Sequence, residues 1–266
     1  MERSDGSTSI DNLELAWQSI TALSAELRDD EWDASTGCPG WSVKDMISHL
    51  IDYEARALGR PAPDHAPADL SHAKNPMGEH NEIGVDARRA LPGPAVLDEL
   101  REVTTARLAQ LRALSDDDLA RETVTPVGPG TIADMLTLRV MDTWSHEQDV
   151  RRAIGRPGHE TGPCAAEAVA YFSRFLPAII GKRAGVADGS VVVLTIGDVA
   201  RLAIGMEAGR AQALPEVPPD PTVELTMPAS AFAALVCGRS DVPDDVTVAG
   251  DAAVGEAVLA VLGFMP

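Results

Sequence analysis

The segment from Thr131 to Ile154 constrains this chain more than any other. It opens on Thr131-Ile-Ala-Asp134, a pattern in which the hydroxyl accepts from a free backbone N–H while the acid reaches back, and it stops at Gly155-Arg156-Pro157-Gly158. At about 100° per residue, Met135, Arg139, Asp142, His146, Asp149 and Ala153 fall on one arc beside Leu138 and Val150. That arc should be the core face. A face that begins apolar and then sets Arg, Asp, His and Asp where packing residues belong carries a heavy desolvation cost unless those groups are paired. The segment therefore predicts a helix packed among others around a polar constellation.

The preceding residues supply the other helices. Leu13, Leu15, Ala16, Ile20, Leu23 and Leu27 recur at near-helical spacing over 10–28. Ser42-Val-Lys-Asp45 repeats the Ser/Thr-x-x-Asp start and predicts a helix running to about Leu58. Val96, Leu97, Leu100, Val103, Leu108 and Leu111 predict a third over 94–114. Residues 59–93, rich in proline and holding His65, His72 and His80, read as a long loop with a short helix at 80–90; of the three histidines, His80 is the one favoured for a role. Four helices of this length make a bundle over residues 1–158. From about residue 160 the texture changes. A helix at 164–180, strands at 190–196, 201–204, 222–226 and 246–248, and helices at 229–237 and 252–262 predict a small α+β domain over 159–266.

Charge and composition narrow the function. Of 266 residues, 22 are Lys or Arg and 41 are Asp or Glu, a formal net charge of −19 that repels nucleic acid and anionic membrane. Hydrophobic residues make up 45%, enough for a packed core, yet no run approaches a membrane span and no signal peptide is evident, so a cytoplasmic protein is expected. Cys38, Cys164 and Cys237 lie far apart with no Cys-x-x-Cys, which reads as structural cysteine and not as a disulfide framework or thiolate cluster.

Two readings of the polar helix stay open. In one, Asp142 pairs with Arg139 and His146 is a satisfied core histidine within a buried network. In the other, the spacing of Asp142 and His146 places a carboxylate and an imidazole one turn apart, able to share an ion. Two ligands on one helix need a third from elsewhere. The candidate is His49, on the helix from Ser42, at the flank of the Val43, Met46, Ile47, Leu50 stripe; a semi-buried histidine with no ligand role is the competing reading. Asp149 is expected to hydrogen-bond a ligand or a helix end.

Taken as a set, Cys38-Pro-Gly-Trp-Ser-Val-Lys-Asp-Met-Ile-Ser-His49, Arg139-Val-Met-Asp142-Thr-Trp-Ser-His146-Glu-Gln-Asp149 and Gly155-Arg-Pro resemble the metal-binding N-terminal domain of mycothiol-dependent maleylpyruvate isomerases, within the wider DinB-like four-helix bundles. Gly238-Arg239-Ser240, Val248-Ala-Gly-Asp251 and the closing Val258-Leu-Ala-Val-Leu-Gly-Phe264 resemble that family's sterol-carrier-like C-terminal domain. The resemblance implies that His49, Asp142 and His146 hold zinc or another divalent ion, with an open position for the thiol mycothiol as cosubstrate. It also implies attack of that thiol on a small-molecule electrophile, as S-transferase or cis–trans isomerase. Many relatives carry Glu where this chain has Asp142, and one methylene less alters reach. Arg139 is expected to orient Asp142 or to meet a substrate carboxylate, and Arg239 to bind an anion; a monomer or homodimer is expected. Two competing functions are a non-catalytic ligand-binding or regulatory module and a metal hydrolase that needs no thiol.

Overall fold

A computed structural model describes residues 6–239 and 244–265, so Ser240 of the Gly238-Arg239-Ser240 motif lies outside the described residues. The chain divides into two compact units, Met1–Pro157 and Gly158–Pro266.

The first unit is helical. Its frame is α1 (Gly6–Ala25), α2 (Val43–Ala57), α4 (Gly93–Arg112) and α6 (Ile132–Ala153), with α3 (Pro76–Asp86) and α5 (Asp116–Ala120) in the connections. α1 packs on α6 and α4, and α2 packs on α4 and α6, which closes the four into a ring; α3 lies against α2. Both expected capping boxes are present. Ser42 Oγ accepts from Asp45 N and the Asp45 carboxylate accepts from Ser42 N at 2.9 Å. Thr131 and Asp134 repeat the exchange at the start of α6. Such caps are typically worth about 1 kcal/mol each, and here they set the start of the two helices that carry the candidate ligands.

Three features of this unit differ from the sequence expectation. The helix in the long connection starts at Pro76, earlier than 80–90, because Asn75 caps it by accepting from Gly78 N (2.9 Å) and Pro76 suits a first helical turn. Before α6 stands a hairpin, β1 (Glu122–Thr125) with β2 (Gly128–Thr131), whose short strands hold too few apolar residues to show a period. And α6 has no single core face: from Thr143 to Val150 every residue is buried. Trp144 and Val150 join Arg139, Glu147 and Asp149 in the interior, because the helix is covered from more than one side.

The second unit is α+β. Its five-stranded sheet has the order β5-β4-β3-β6-β7, from β3 (Val191–Ile196), β4 (Ala200–Glu207), β5 (Arg210–Ala213), β6 (Val223–Met227) and β7 (Thr247–Gly250). β3 and β6 run parallel, Val192 beside Val223 and Ile196 beside Met227, and the other pairs are antiparallel. α9 (Ala229–Val236) and α10 (Ala252–Leu259) flank β7 in the chain. The helix expected over 164–180 is two, α7 (Pro163–Ser173) and α8 (Leu176–Arg183). Pro177 in the first turn of α8 has no N–H for the carbonyl a turn earlier, so one continuous helix cannot form there. The stretch 163–183 is long and apolar enough to match a membrane span, at a mean hydropathy of 1.2, against the expectation that no such run exists. Its Cys164, Ala168, Phe172, Leu176 and Ile180 are buried within the protein. β5 was not legible because its residues are largely exposed; it exists through pairing with β4 across the tight Ala208-Gly209 turn, both at positive φ (49° and 73°).

Candidate metal centre

The site is assembled from α2 and α6. One turn separates Asp142 from His146, and both face His49: His49 Nε2 lies 3.4 Å from Asp142 Oδ2, and His146 Nε2 lies 3.5 Å from Asp142 Oδ1. The three donor atoms all lie within 4.8 Å of one another. The two imidazoles meet edge to face with centroids 5.0 Å apart. Both histidine side chains are buried, while Asp142 keeps 23% of its side-chain surface, so the cluster meets solvent through the carboxylate. Two imidazoles and a carboxylate form a donor set suited to zinc or another borderline divalent ion, and their mutual spacing lets a single ion touch all three.

Buried charges around the cluster fix its parts. Arg139 Nη1 donates to Asp142 Oδ2 at 2.6 Å and its Nε to Glu54 Oε1 at 2.8 Å, while its guanidinium stacks on the Tyr53 ring, 3.6 Å from the centroid. Glu54 also accepts from Arg107 Nε of α4 at 3.2 Å. Asp149 Oδ2 lies 3.2 Å from His146 Nδ1 and so leaves Nε2 of that ring for the site. No such carboxylate serves His49, whose buried Nδ1 has no hydrogen-bond partner among the described residues.

These surroundings drive the titrations apart. Burial raises the Asp142 carboxyl, but the Arg139 guanidinium and His146 outweigh it and hold the group well below the usual carboxylate range. Burial pushes the His49 imidazole below its ordinary value, more than the Asp142 hydrogen bond restores. Burial acts the same way on His146, but Asp142 and Asp149 together outweigh it and raise this ring.

Of the residues singled out in the sequence, His49, Asp142, His146 and Arg139 come together in this cluster, with Asp149 behind His146. Arg139 is buried, its guanidinium directed at Asp142 and Glu54. Arg239 belongs to the second unit, half-buried, and donates from Nη1 to the Cys237 carbonyl at 3.2 Å. The exposed His80 contacts Arg56 and not the cluster. Sequence reasoning missed Glu54 and Glu82, and held Trp41 only as part of the Cys38-to-His49 motif, with no contact assigned to it. Trp41 places its ring 5.2 Å from His49 and 6.2 Å from His146. Glu54 had a signal, an acid one turn past Leu50 on the buried side of α2, but nothing in the sequence named its partners.

A helical unit with two histidines and an aspartate gathered in its interior, followed by a small sheet-containing unit, is the architecture of a defined class of two-domain proteins. Residues 13–151 match the model of the mycothiol maleylpyruvate isomerase N-terminal domain, and residues 165–257 match that family's C-terminal domain. The chain belongs to the mycothiol-dependent maleylpyruvate isomerase family. Two uncharacterized proteins of Mycobacterium tuberculosis are 32% identical over 139 residues, 51% of this chain and 52% of each relative, so the chain spans about half the length of the curated relatives it matches. Crystal structures of the mycothiol-dependent maleylpyruvate isomerase, one of them a mutant, superpose over 92% of both chains with a TM-score of 0.56 and 17% identity, a likeness of fold.

Proposed function

We propose that this protein is a metal-dependent, cytoplasmic enzyme that activates mycothiol for attack on an electrophilic small molecule, as a cis–trans isomerase or an S-transferase. Family membership supports the mycothiol-linked chemistry. The observation that carries the metal dependence is the convergence of the His49, Asp142 and His146 donor atoms within 4.8 Å. In this reading those three residues hold zinc or a similar ion, which supplies Lewis acidity that keeps a small thiol deprotonated near neutral pH.

The chain's own residues do the rest. Arg139 clamps the Asp142 carboxylate from behind and keeps it ionised, and Asp149 holds His146 with Nε2 turned into the site. The lowered titration of His49 favours its neutral ring, the state a ligand needs, whereas His146, raised by Asp142 and Asp149, gives up its proton when an ion binds. Three protein ligands leave a position for the thiol, which distinguishes a catalytic site from a closed structural one. We assign Arg139 to orienting Asp142; Arg239 remains our candidate for an anionic group of thiol or substrate. Isomerase and transferase share the first step, attack of the thiol sulfur on an electron-poor carbon, and differ in whether the sulfur is later expelled.

Elemental analysis of wild-type protein beside His49→Ala and His146→Ala, with mycothiol binding followed by calorimetry, tests this. Near-stoichiometric metal lost in both variants, with thiol binding lost alongside, is the expected result. Wild-type protein that cannot be loaded with metal sinks the proposal. A second reading, a non-catalytic module with an internal ion-pair network, draws on the 2.6 Å contact that already joins Arg139 to Asp142; it gains from that negative result. Turnover with no thiol present would instead indicate a hydrolase.

A further inference from the structure

His146 is oriented by a carboxylate at its Nδ1, and His49 is not. Asp142 meets the His49 ring only at Nε2; the ring's faces and edges meet aromatic rings, His146 on one side and the half-buried Trp41 indole on another. Trp41 is itself held. Its Nε1 donates to Glu82 Oε2 at 2.8 Å, and the same oxygen accepts from His72 Nε2 at 3.0 Å, while Arg89 Nη1 lies 2.6 Å from Glu82 Oε1. Glu82 is completely buried. A carboxylate can only accept, so two donors on one oxygen and the Arg89 charge beside the other hold this buried acid as a rigid post.

The post is tied to the site from two directions. Arg89 also donates from Nε to Asp45 Oδ1 at 3.1 Å, and Asp45 is the capping acid of α2, the helix that carries His49. Gly40, at φ +80° just before Trp41, lies under the His72 ring, where a Cβ would collide with it. The Cys38-Pro-Gly-Trp41 turn and the segment around His72 are therefore shaped to one another.

We propose that Glu82 is a positioning residue of the metal centre: it fixes the Trp41 indole as the wall that orients His49, and His72 couples the 59–75 segment to that wall. The role rests on the metal reading above, but the coupling itself exists in metal-free protein. A change in the segment that displaces His72 then changes the angle at which His49 presents Nε2, which gives the 59–75 segment a physical route to the site.

The test uses metal-free full-length protein: wild type beside Trp41→Phe, Glu82→Gln and His72→Ala, with 1H–15N spectra of the indoles and 1H–13C spectra of the imidazoles. Trp41→Phe identifies the Trp41 indole signal by its loss. In Glu82→Gln and His72→Ala that signal and the ring signals of His49 are expected to shift together, while the indoles of Trp17 and Trp144 stay in place. His72→Ala removes only a half-buried ring and so guards against a Glu82 variant that fails to fold. An indole signal that moves while His49 stays put, or one that does not move in folded His72→Ala, overturns the proposal. Zinc titration of the wild type separates the two readings: its failure removes the metal and leaves the spectral coupling standing.

Discussion

In the helical unit, Glu54, Glu82, Arg139, Glu147 and Asp149 are all at least 98% buried, whereas the second unit buries Val192, Leu194, Leu225, Phe172 and Phe232, with Ser230 the lone buried polar residue among those described there. Both interiors are closed, but they answer different demands. An apolar interior needs only volume and gains about 25 cal/mol for each Å² of apolar surface removed from water. A charged interior costs desolvation energy and holds only when each group meets a partner, so it is retained where stability is not the sole demand. In the first unit the charges also link the helices: Ser19 of α1 to Glu147 of α6 at 2.7 Å, Glu54 of α2 to Arg139 of α6 and to Arg107 of α4. The bundle is thereby tied together by charges around its candidate site, and the second unit by apolar packing.

Substitutions sharpen or break that contrast. The largest effects are expected from Arg139→Ala and Phe232→Ala, each costing about 3–5 kcal/mol by urea unfolding, the first by stranding Glu54 and Asp142, the second by leaving a cavity. Only the first should also abolish metal retention; loss of metal in both would erase the distinction. Next, zinc at a hundredfold excess over its Kd should stabilise wild-type protein by about 2.7 kcal/mol, read as a raised thermal midpoint, and not stabilise His146→Ala. Asp149→Asn should weaken zinc binding by about 10–100-fold with the fold intact, because His146 loses its orienting carboxylate; unchanged affinity by competitive titration counts against that role.

Smaller effects test the frame. Ser42→Ala and Thr131→Ala should each cost about 1 kcal/mol, measured by denaturant midpoint. The smallest belongs to the second unit. The hydrogen bonds from Arg201 and Thr195 lower the Glu224 carboxyl below its ordinary 4.5. A depressed folded value means the contribution is present above 4.5 and lost as pH falls through the lowered value. For this partly exposed, solvent-screened pair the amount is about 0.2–1 kcal/mol, so Glu224→Gln should flatten the acid limb of the stability curve only slightly. A steep acid limb that disappears in this variant would place significant charge energetics in the unit whose interior is apolar.

What was legible in the chain was what acts over short range. The capping pairs Ser42–Asp45 and Thr131–Asp134, the apolar spacing of α1, α2 and α4, and the arc of Arg139, Asp142, His146 and Asp149 each depend on residues within a turn or two, so local geometry exposes them. The sequence likewise marked His49 as a candidate, though not what surrounds it. Pro177 marks a helix break in the sequence, but the apolar residues that continue across it mask the break. β5 had no local signal, since its existence depends on the partner strand.

The tertiary structure alone decided which buried charges meet across helices. Desolvation tells a reader that Arg139 needs an acid, and Asp142, three residues on in the same helix, is legible as one; Glu54, 85 positions earlier, is delivered only by the packing of α2 against α6. The same holds for Glu82, which gathers Trp41, His72 and Arg89 from three stretches of chain. Periodicity and capping are encoded by neighbours along the backbone; the partner of a buried charge is chosen by neighbours in space, and those exist only once the helices have closed.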